Sequence, residues 1–204
     1  MNPYKPYLEV LNKIWSKYRG ERLSFPTDDL ELLSFKKNYS VSMTKQMSRD
    51  PRNGKERMVY VLFVPLKQTL HTELTSILVA AAEEKKFEHV VLVCSSTTKN
   101  TKSSLQKSMT IIWEVLSYDD LKFCAPCNVL VPIKYELLTD KERAEFTTDP
   151  SKLRKMFARD NGQVKHHVKQ DVMARLLGFR LGDIVRITEA HTSTGLSISH
   201  RHLV

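Results

Sequence analysis

The chain has 204 residues, of which 41% are hydrophobic and 27% are charged, and its formal net charge is +9. This composition excludes a disordered chain and predicts one large or two small folded domains. No apolar run approaches the roughly 18 residues of a membrane-spanning helix, and the N-terminal region lacks the apolar core of a signal peptide, so we expect no membrane segment and no export.

The first half of the chain alternates helical and strand patterns. An apolar stripe through Leu8, Leu11 and Trp15 predicts a helix over residues 4–19, and Pro26 opens a second predicted helix that extends toward residue 37. A strand is expected at 40–45, followed by a hairpin turn at Asn53-Gly54. The almost wholly apolar run at 57–66 predicts a central strand that is buried on both faces of its sheet.

The pattern continues with a helix over residues 72–86 that Thr72 could cap and a buried strand at 89–96. A polar loop at 98–108 leads into another helix, and a strand is predicted at 110–121. This order predicts a mixed α/β layer for residues 1–126. The sequence pattern changes around residues 124–132, so we place residues 127–204 in a second, smaller α+β domain.

The second domain begins with a capping box from Thr139 to Glu142, a possible helix start at Asp149-Pro150 and a turn at 160–162.

The tail follows as a compact series of elements. Asp171 suits the N-cap of a helix that ends at 177, a type II turn fits Leu181-Gly182, and two strands follow, separated by a loop. Three glycines occupy positions where the backbone needs a left-handed conformation that other residues adopt at a cost: Gly178, Gly182 and Gly195.

The tail resembles a domain found in a small subunit of the archaeal RNA polymerase, and the same domain ends the common subunit shared by the three eukaryotic nuclear RNA polymerases. The match runs without gaps through these positions: Asp171, Ala174, Arg175, Gly178, Gly182, Val185, Ile187, Gly195, Ile198 and Arg201. Arg186 replaces a lysine conservatively. Val129 to Pro132 and the Thr139–Glu142 box match the family's entry to this domain, and 59–65 and 89–105 resemble its N-terminal jaw more weakly.

The chain departs from the family pattern at Val172, Lys134 and His200, where the family has proline, histidine and tyrosine. The segment 164–167 also differs. The divergence suggests a large DNA virus that carries its own polymerase, which would place the protein in the host cytoplasm and the virion; a cellular subunit would be nuclear.

The resemblance implies a restriction-endonuclease-like jaw and a C-terminal assembly domain in a non-catalytic subunit. One copy would dock on the largest RNA polymerase subunit, with the jaw near downstream duplex DNA. Arg175, Arg186 and Arg201 are the candidate contacts with the largest subunit, because arginine is enriched at interfaces. The three tail glycines are expected to shape the backbone.

Two basic loops are candidates for sequence-blind contact with DNA phosphates. Arg52 and Lys55 flank the Asn-Gly turn, and Lys99 and Lys102 lie among hydroxyl side chains before a helix. Ordinary solvated charge is the competing interpretation for both loops. A free-standing, sequence-nonspecific nucleic-acid-binding protein is the alternative function, since basic chains favour polyanions.

Catalytic and cofactor chemistry find little support. The central strand contains no acid, and Glu83-Glu84-Lys85, the nearest acid-acid-base run, closes a helix, so we expect no nuclease. His200 and His202 share a strand face but have no third ligand. Of the three cysteines, Cys124 and Cys127 have C-x-x-C spacing without the second pair a zinc site needs, and the odd count indicates a reducing, intracellular compartment. We expect no cofactor.

Overall fold

The computed structural model describes residues 2–19, 24–28, 30–35, 39–98, 100–101, 104–105, 110–123, 134–145, 153–156, 171–191 and 195–204. The chain divides into two compact units, and the first comprises Met1–Lys13, Arg22–Arg49 and Glu56–Phe123. The second comprises Ile14–Glu21, Asp50–Lys55 and Cys124–Val204. It therefore includes two segments that the sequence pattern assigns to the first domain.

The first unit contains one mixed sheet whose five strands are β1 (Glu31–Ser34), β2 (Ser40–Arg49), β3 (Glu56–Phe63), β4 (His89–Cys94) and β5 (Ile112–Ser117). The strands lie side by side in chain order. The first two pairings are antiparallel and the last two are parallel. The apolar run of β3 occupies the middle of the sheet, as predicted.

Helices cover this sheet: α1 (Lys5–Lys13), α2 (Thr72–Glu84) and α3 (Tyr118–Phe123). Every residue of β4 is buried, which is expected of a parallel strand with both faces covered. Leu74 and Leu78 of α2 belong to the same buried cluster as Val90 and Leu92 of β4. The two leucines lie one helical turn apart and the two strand residues lie two positions apart, so one face of the helix packs against one face of the strand.

The described residues of the segment 26–37 do not form the helix predicted to start at Pro26. The described residues of this segment contain the short strand β1, which pairs with β2 at the edge of the sheet. Of its two leucines, Leu33 is 9% exposed and Leu32 is 64% exposed, an alternation that belongs to a strand. Strand pairing therefore overrides the helical spacing of Leu30 and Leu33.

Two other local predictions need correction. The N-cap of α2 is His71, whose Nδ1 accepts the Leu74 N–H at 3.1 Å, so Thr72 is the first helical residue. Residues 118–121, predicted as part of a strand, lie in α3. Ser117 and Asp120 exchange hydrogen bonds of 2.8 and 3.0 Å at its start, which is the reciprocal pattern of a capping box.

The second unit contains a four-stranded sheet in the order β6-β8-β9-β7, with β6 at Lys134–Leu137, β7 at Arg154–Met156, β8 at Ile184–His191 and β9 at Gly195–Leu203. The β6–β8 and β8–β9 pairs are antiparallel and β7–β9 is parallel. The described helices of this unit are a π-helix over Ile14–Arg19, α4 (Asp140–Glu145) and α5 (Val172–Leu176). The fold class is mixed α+β.

The strands and helix of the tail agree with the sequence prediction. Val185, Ile187 and Leu203 are at most 1% exposed and form the buried face of the hairpin. The predicted helix start at 149–150, the turn at 160–162, Cys124 and Cys127 lie outside the described residues. In the described part of the chain no helix is both long and apolar enough to cross a membrane.

Candidate functional site

The helix of the tail ends in a tight left-handed turn. Asp171 caps its start, with Oδ1 accepting the N–H groups of Met173 at 2.8 Å and Ala174 at 3.2 Å. At its end Gly178 has φ +66°, and the Phe179 N–H donates to the Ala174 carbonyl at 2.9 Å. Together with the bond from the Gly178 N–H to the Arg175 carbonyl, at 3.3 Å, this bond forms a Schellman motif, for which glycine is the favoured C′ residue. The predicted cap and stop are both confirmed.

The second bend joins the helix to the sheet. Gly182 has φ +81°, and the Asp183 N–H donates to the Arg180 carbonyl at 3.0 Å, as a type II turn requires. The Gly182 N–H also donates to the carbonyl of Leu203 at 2.9 Å. This turn therefore fixes the C-terminal end of β9 against the start of β8.

The register of the hairpin separates two of the predicted partner contacts. Arg186 pairs with His200 across β8 and β9, whereas Arg201 pairs with Val185. Because neighbouring residues of a strand point to opposite faces, Arg186 and Arg201 lie on opposite sides of the sheet. Arg201 is on the buried side, and Arg186 is on the outer side, 3.9 Å from a carboxylate oxygen of Glu142.

Arg201 and Glu142 both take part in electrostatic interactions with neighbouring groups. Burial raises the pKa of Tyr135, and the charge of Arg201 opposes part of that rise.

The Thr139 N–H donates to Glu142 at 2.8 Å and the Thr139 hydroxyl accepts the Glu142 N–H at 3.2 Å, so the predicted capping box is formed. The hydrogen bonds from Thr139 lower the pKa of Glu142.

Arg175 lies in α5 and is half-buried. Its backbone N–H donates to the Asp171 carbonyl at 3.0 Å, and its carbonyl accepts the Gly178 N–H at 3.3 Å. The candidate contacts Arg175, Arg186 and Arg201 are thus placed on a helix and on two different sheet faces.

Arg52 has a structural role that the sequence did not indicate. Its guanidinium donates to both carboxylate oxygens of Asp183, at 3.1 and 2.7 Å, to Asp50 at 3.3 Å and to the Gly178 carbonyl at 3.0 Å. The side chains of Arg52, Asp50 and Asp183 are 11%, 7% and 4% exposed. Arg180 extends the cluster, with its Nη1 3.7 Å from Asp50.

The fork of the guanidinium matches the carboxylate of Asp183, which is the strongest arrangement for such a pair. Burial lowers the pKa of Arg52, but the hydrogen bond and charge of Asp183 and the charge of Asp50 outweigh it, so the pKa is raised. Arg52, Asp50, Gly178 and Asp183 all belong to the second unit, and the donors of the guanidinium bind protein groups there. Arg52 is therefore placed differently from the exposed, DNA-facing residue that the sequence suggested.

The remaining predicted DNA-facing residues fall into two groups. Lys55 is exposed at the end of the same loop, where its N–H donates to the Asn53 side chain at 2.9 Å. Lys99 and Lys102 lie outside the described residues.

The loop that precedes Lys99 is joined to the loop after β3. The Leu70 N–H donates to the Ser96 carbonyl at 3.1 Å, and the Ser96 hydroxyl donates to Thr69 at 3.2 Å. Thr98 and Thr101 share a hydroxyl hydrogen bond of 2.8 Å. At this edge of the sheet, at the carboxyl ends of the parallel strands, Thr69, Ser96 and Thr98 are exposed, whereas Thr101 is buried.

Glu83 and Glu84, the acids weighed for a nuclease, are exposed at the end of α2. Among the described residues no group of three or more histidine, cysteine, aspartate or glutamate side chains could hold a metal ion. His89 and Glu114 form a buried pair in the first unit, with 2.8 Å between Nε2 and Oε1.

Another arginine also serves a structural purpose that sequence reasoning missed. In the second unit, Arg19 donates through Nε and Nη2 to the Leu176 carbonyl at 3.0 and 2.8 Å and stacks on Trp15 with 3.7 Å to the ring centroid. It satisfies a carbonyl in the last turn of α5, where helices leave acceptors without partners. No local sequence signal could have found these bonds, because 157 positions separate Arg19 from Leu176.

Comparison with known proteins adds no assignment: neither a family model nor a curated protein matches the chain significantly.

Proposed function

We propose that the protein is a non-catalytic subunit of a multisubunit DNA-dependent RNA polymerase. The observation that carries the proposal is the ungapped run of tail residues that resembles the polymerase family, from Asp171 to Arg201. The described geometry supports it, because Gly178, Gly182 and Gly195 all have positive φ values between 66° and 81°. Glycine adopts this left-handed conformation without strain, so the three glycines that the resemblance aligns also shape the backbone here.

In this proposal the second unit is the assembly module that docks on the largest subunit, with one copy in each complex. Its two bends, the Schellman motif and the type II turn, are both closed by backbone hydrogen bonds. A preorganised surface loses less conformational entropy on binding than a flexible one. Nucleotide chemistry belongs to the large subunits.

The first unit would be the jaw, with a restriction-endonuclease-like arrangement of its mixed sheet, and it would lie near downstream duplex DNA. The net charge of +9 and the exposed hydroxyl groups of Thr69, Ser96 and Thr98, next to Lys99 in sequence or joined to that loop, support this part of the proposal. Hydroxyl and lysine donors suit phosphate oxygens, and such contacts carry no base specificity. Lys55 remains a second candidate, whereas the buried Arg52 is left out of this set.

Affinity purification of the tagged chain from cells that produce its polymerase tests the proposal. We expect the largest polymerase subunit to be retained through a wash of high salt and to be identified by mass spectrometry. A free-standing nucleic-acid-binding protein, which the positive charge favours as the second candidate, would lose its partners steeply as salt rises. Purification of the chain without any polymerase subunit contradicts the proposal.

The DNA-facing part is tested separately by replacing Lys99 and Lys102 with glutamate. The variant should assemble normally but bind downstream duplex DNA more weakly, with a smaller dependence of affinity on salt, because about two phosphate contacts are lost. Lys55→Glu serves as the matched variant for the other basic loop. Unchanged DNA affinity in both variants would show that neither loop contacts DNA.

A further inference from the structure

Two arginines lie side by side at one edge of the second sheet. Arg154 of β7 pairs directly with Arg201 of β9. Directly paired residues of neighbouring strands point to the same face, and the strands themselves are about 4.8 Å apart. Both guanidinium groups therefore extend from one small area, and we call these two residues the arginine pair.

The charges of the arginine pair have no carboxylate partner. Arg154 is exposed and Arg201 is half-buried. Neither residue takes part in an ion pair within the described ranges. Nε of Arg201 is buried and has no hydrogen-bond partner among the described residues. Since like charges directly opposite each other destabilise a sheet, an anion that binds to both side chains would stabilise this edge.

The acids described in this part of the second unit are engaged elsewhere or lie farther along the sheet. Asp183 binds Arg52 at 2.7 Å, and Asp171 accepts two N–H groups at the start of α5. Glu189 lies four positions along β8 from the residue that pairs with Arg201, which corresponds to about 13 Å. The edge of this face at β7 therefore remains positively charged.

The chemistry of the arginine pair suits a phosphate group. A guanidinium is planar and stays charged, and its N–H donors form a fork that matches two oxygens of a phosphate. A phosphate monoester offers three acceptor oxygens and close to two negative charges, so it can bind two adjacent guanidinium groups at once. Because Arg201 is half-buried, its attraction for an anion is screened less by water than that of an exposed lysine.

We propose that the arginine pair is a binding site for a phosphate dianion, either inorganic phosphate or the phosphate group of a small monoester. The inference goes beyond the proposed function, because it depends neither on a polymerase nor on DNA. It assigns to Arg201 and Arg154 a ligand rather than a protein partner.

Isothermal titration calorimetry of the full-length chain with inorganic phosphate tests the proposal, at constant ionic strength with chloride as the competing anion. We expect saturable binding at one site and a thermal midpoint that rises with phosphate concentration. Arg154→Gln should bind phosphate roughly 10-fold more weakly, because it loses the charge-assisted hydrogen bonds of one guanidinium. Arg201→Lys should also bind more weakly, because an ammonium keeps the charge but loses the fork.

Lys55→Gln is the matched control, because it removes an exposed cation elsewhere in the same unit and should bind phosphate like the wild type. Circular dichroism and the thermal midpoint without phosphate establish that each variant is folded. Arg154 is exposed, so Arg154→Gln decides the test even if Arg201→Lys fails to fold.

Three results would overturn the proposal. They are a wild type that binds phosphate no better than chloride, a folded Arg154→Gln variant that binds like the wild type, and an equal loss of binding in Lys55→Gln, which would show that only net charge attracts the anion. Titration with adenosine monophosphate distinguishes the two sources of phosphate. Tighter binding of the nucleotide assigns the site to a monoester, and weaker binding assigns it to inorganic phosphate.

Discussion

The Arg52 cluster gives a sharp prediction, because the same residue would behave differently at a DNA surface and in a buried ion pair. Arg52→Ala removes four hydrogen bonds and leaves the carboxylates of Asp50 and Asp183 buried without their main counter-charge. Removing one partner of a buried pair costs about 3–5 kcal/mol. Arg180 stays 3.7 Å from Asp50 and its N–H still donates to Asp183, so we expect the lower end, about 3 kcal/mol.

Urea denaturation followed by circular dichroism measures the free energy of unfolding, and thermal unfolding should show a midpoint about 6–12 °C lower for a chain of this length. Lys55→Ala is the control in the same loop, since an exposed side chain should change stability by less than about 0.5 kcal/mol. Arg52→Lys should fall between them, because an ammonium cannot match both oxygens of Asp183. Equal stability of Arg52→Ala and Lys55→Ala, with weaker DNA binding by Arg52→Ala, would refute the structural role.

Three further changes test other parts of the fold. Gly182→Ala should lower the free energy of unfolding by about 1–2 kcal/mol through backbone strain alone, since nothing lies within 4 Å of an added Cβ, and Gly182→Asn should lose less; equal losses in urea titrations would point to another cause. Tyr118→Phe leaves the buried Val64 carbonyl without its hydroxyl donor and should cost about 1–3 kcal/mol in the same assay, whereas a neutral result would mean that the hydroxyl is dispensable. Because the pKa of Glu142 is lowered, its contribution to stability is present above the unfolded pKa of 4.5 and is lost as pH falls through the folded pKa. Glu142→Gln should therefore reduce the fall of the thermal midpoint in that acid range. A thermal midpoint that depends on pH as in the wild type would contradict the capping box with Thr139.

Much of the local structure follows from the sequence alone. The apolar runs of β3 and β4 predict buried strands, because only a doubly covered strand tolerates an apolar residue at every position. Asp171 and Gly178 mark the start and end of α5, since their effects act within one helical turn. The same locality made the segment after Pro26 misleading: the helical spacing of two leucines was overridden by pairing with a neighbouring strand.

The placement of charged side chains was decided only by the tertiary structure. Arg52 looks like one member of an exposed basic loop, yet its partner Asp183 is 131 positions away, and no periodicity encodes such a pair. Arg186 and Arg201 look equivalent in the tail, but the register of β8 and β9 sends them to opposite faces. A sequence determines backbone tendencies over a few residues, whereas which charge is buried depends on the long-range packing that brings distant segments together.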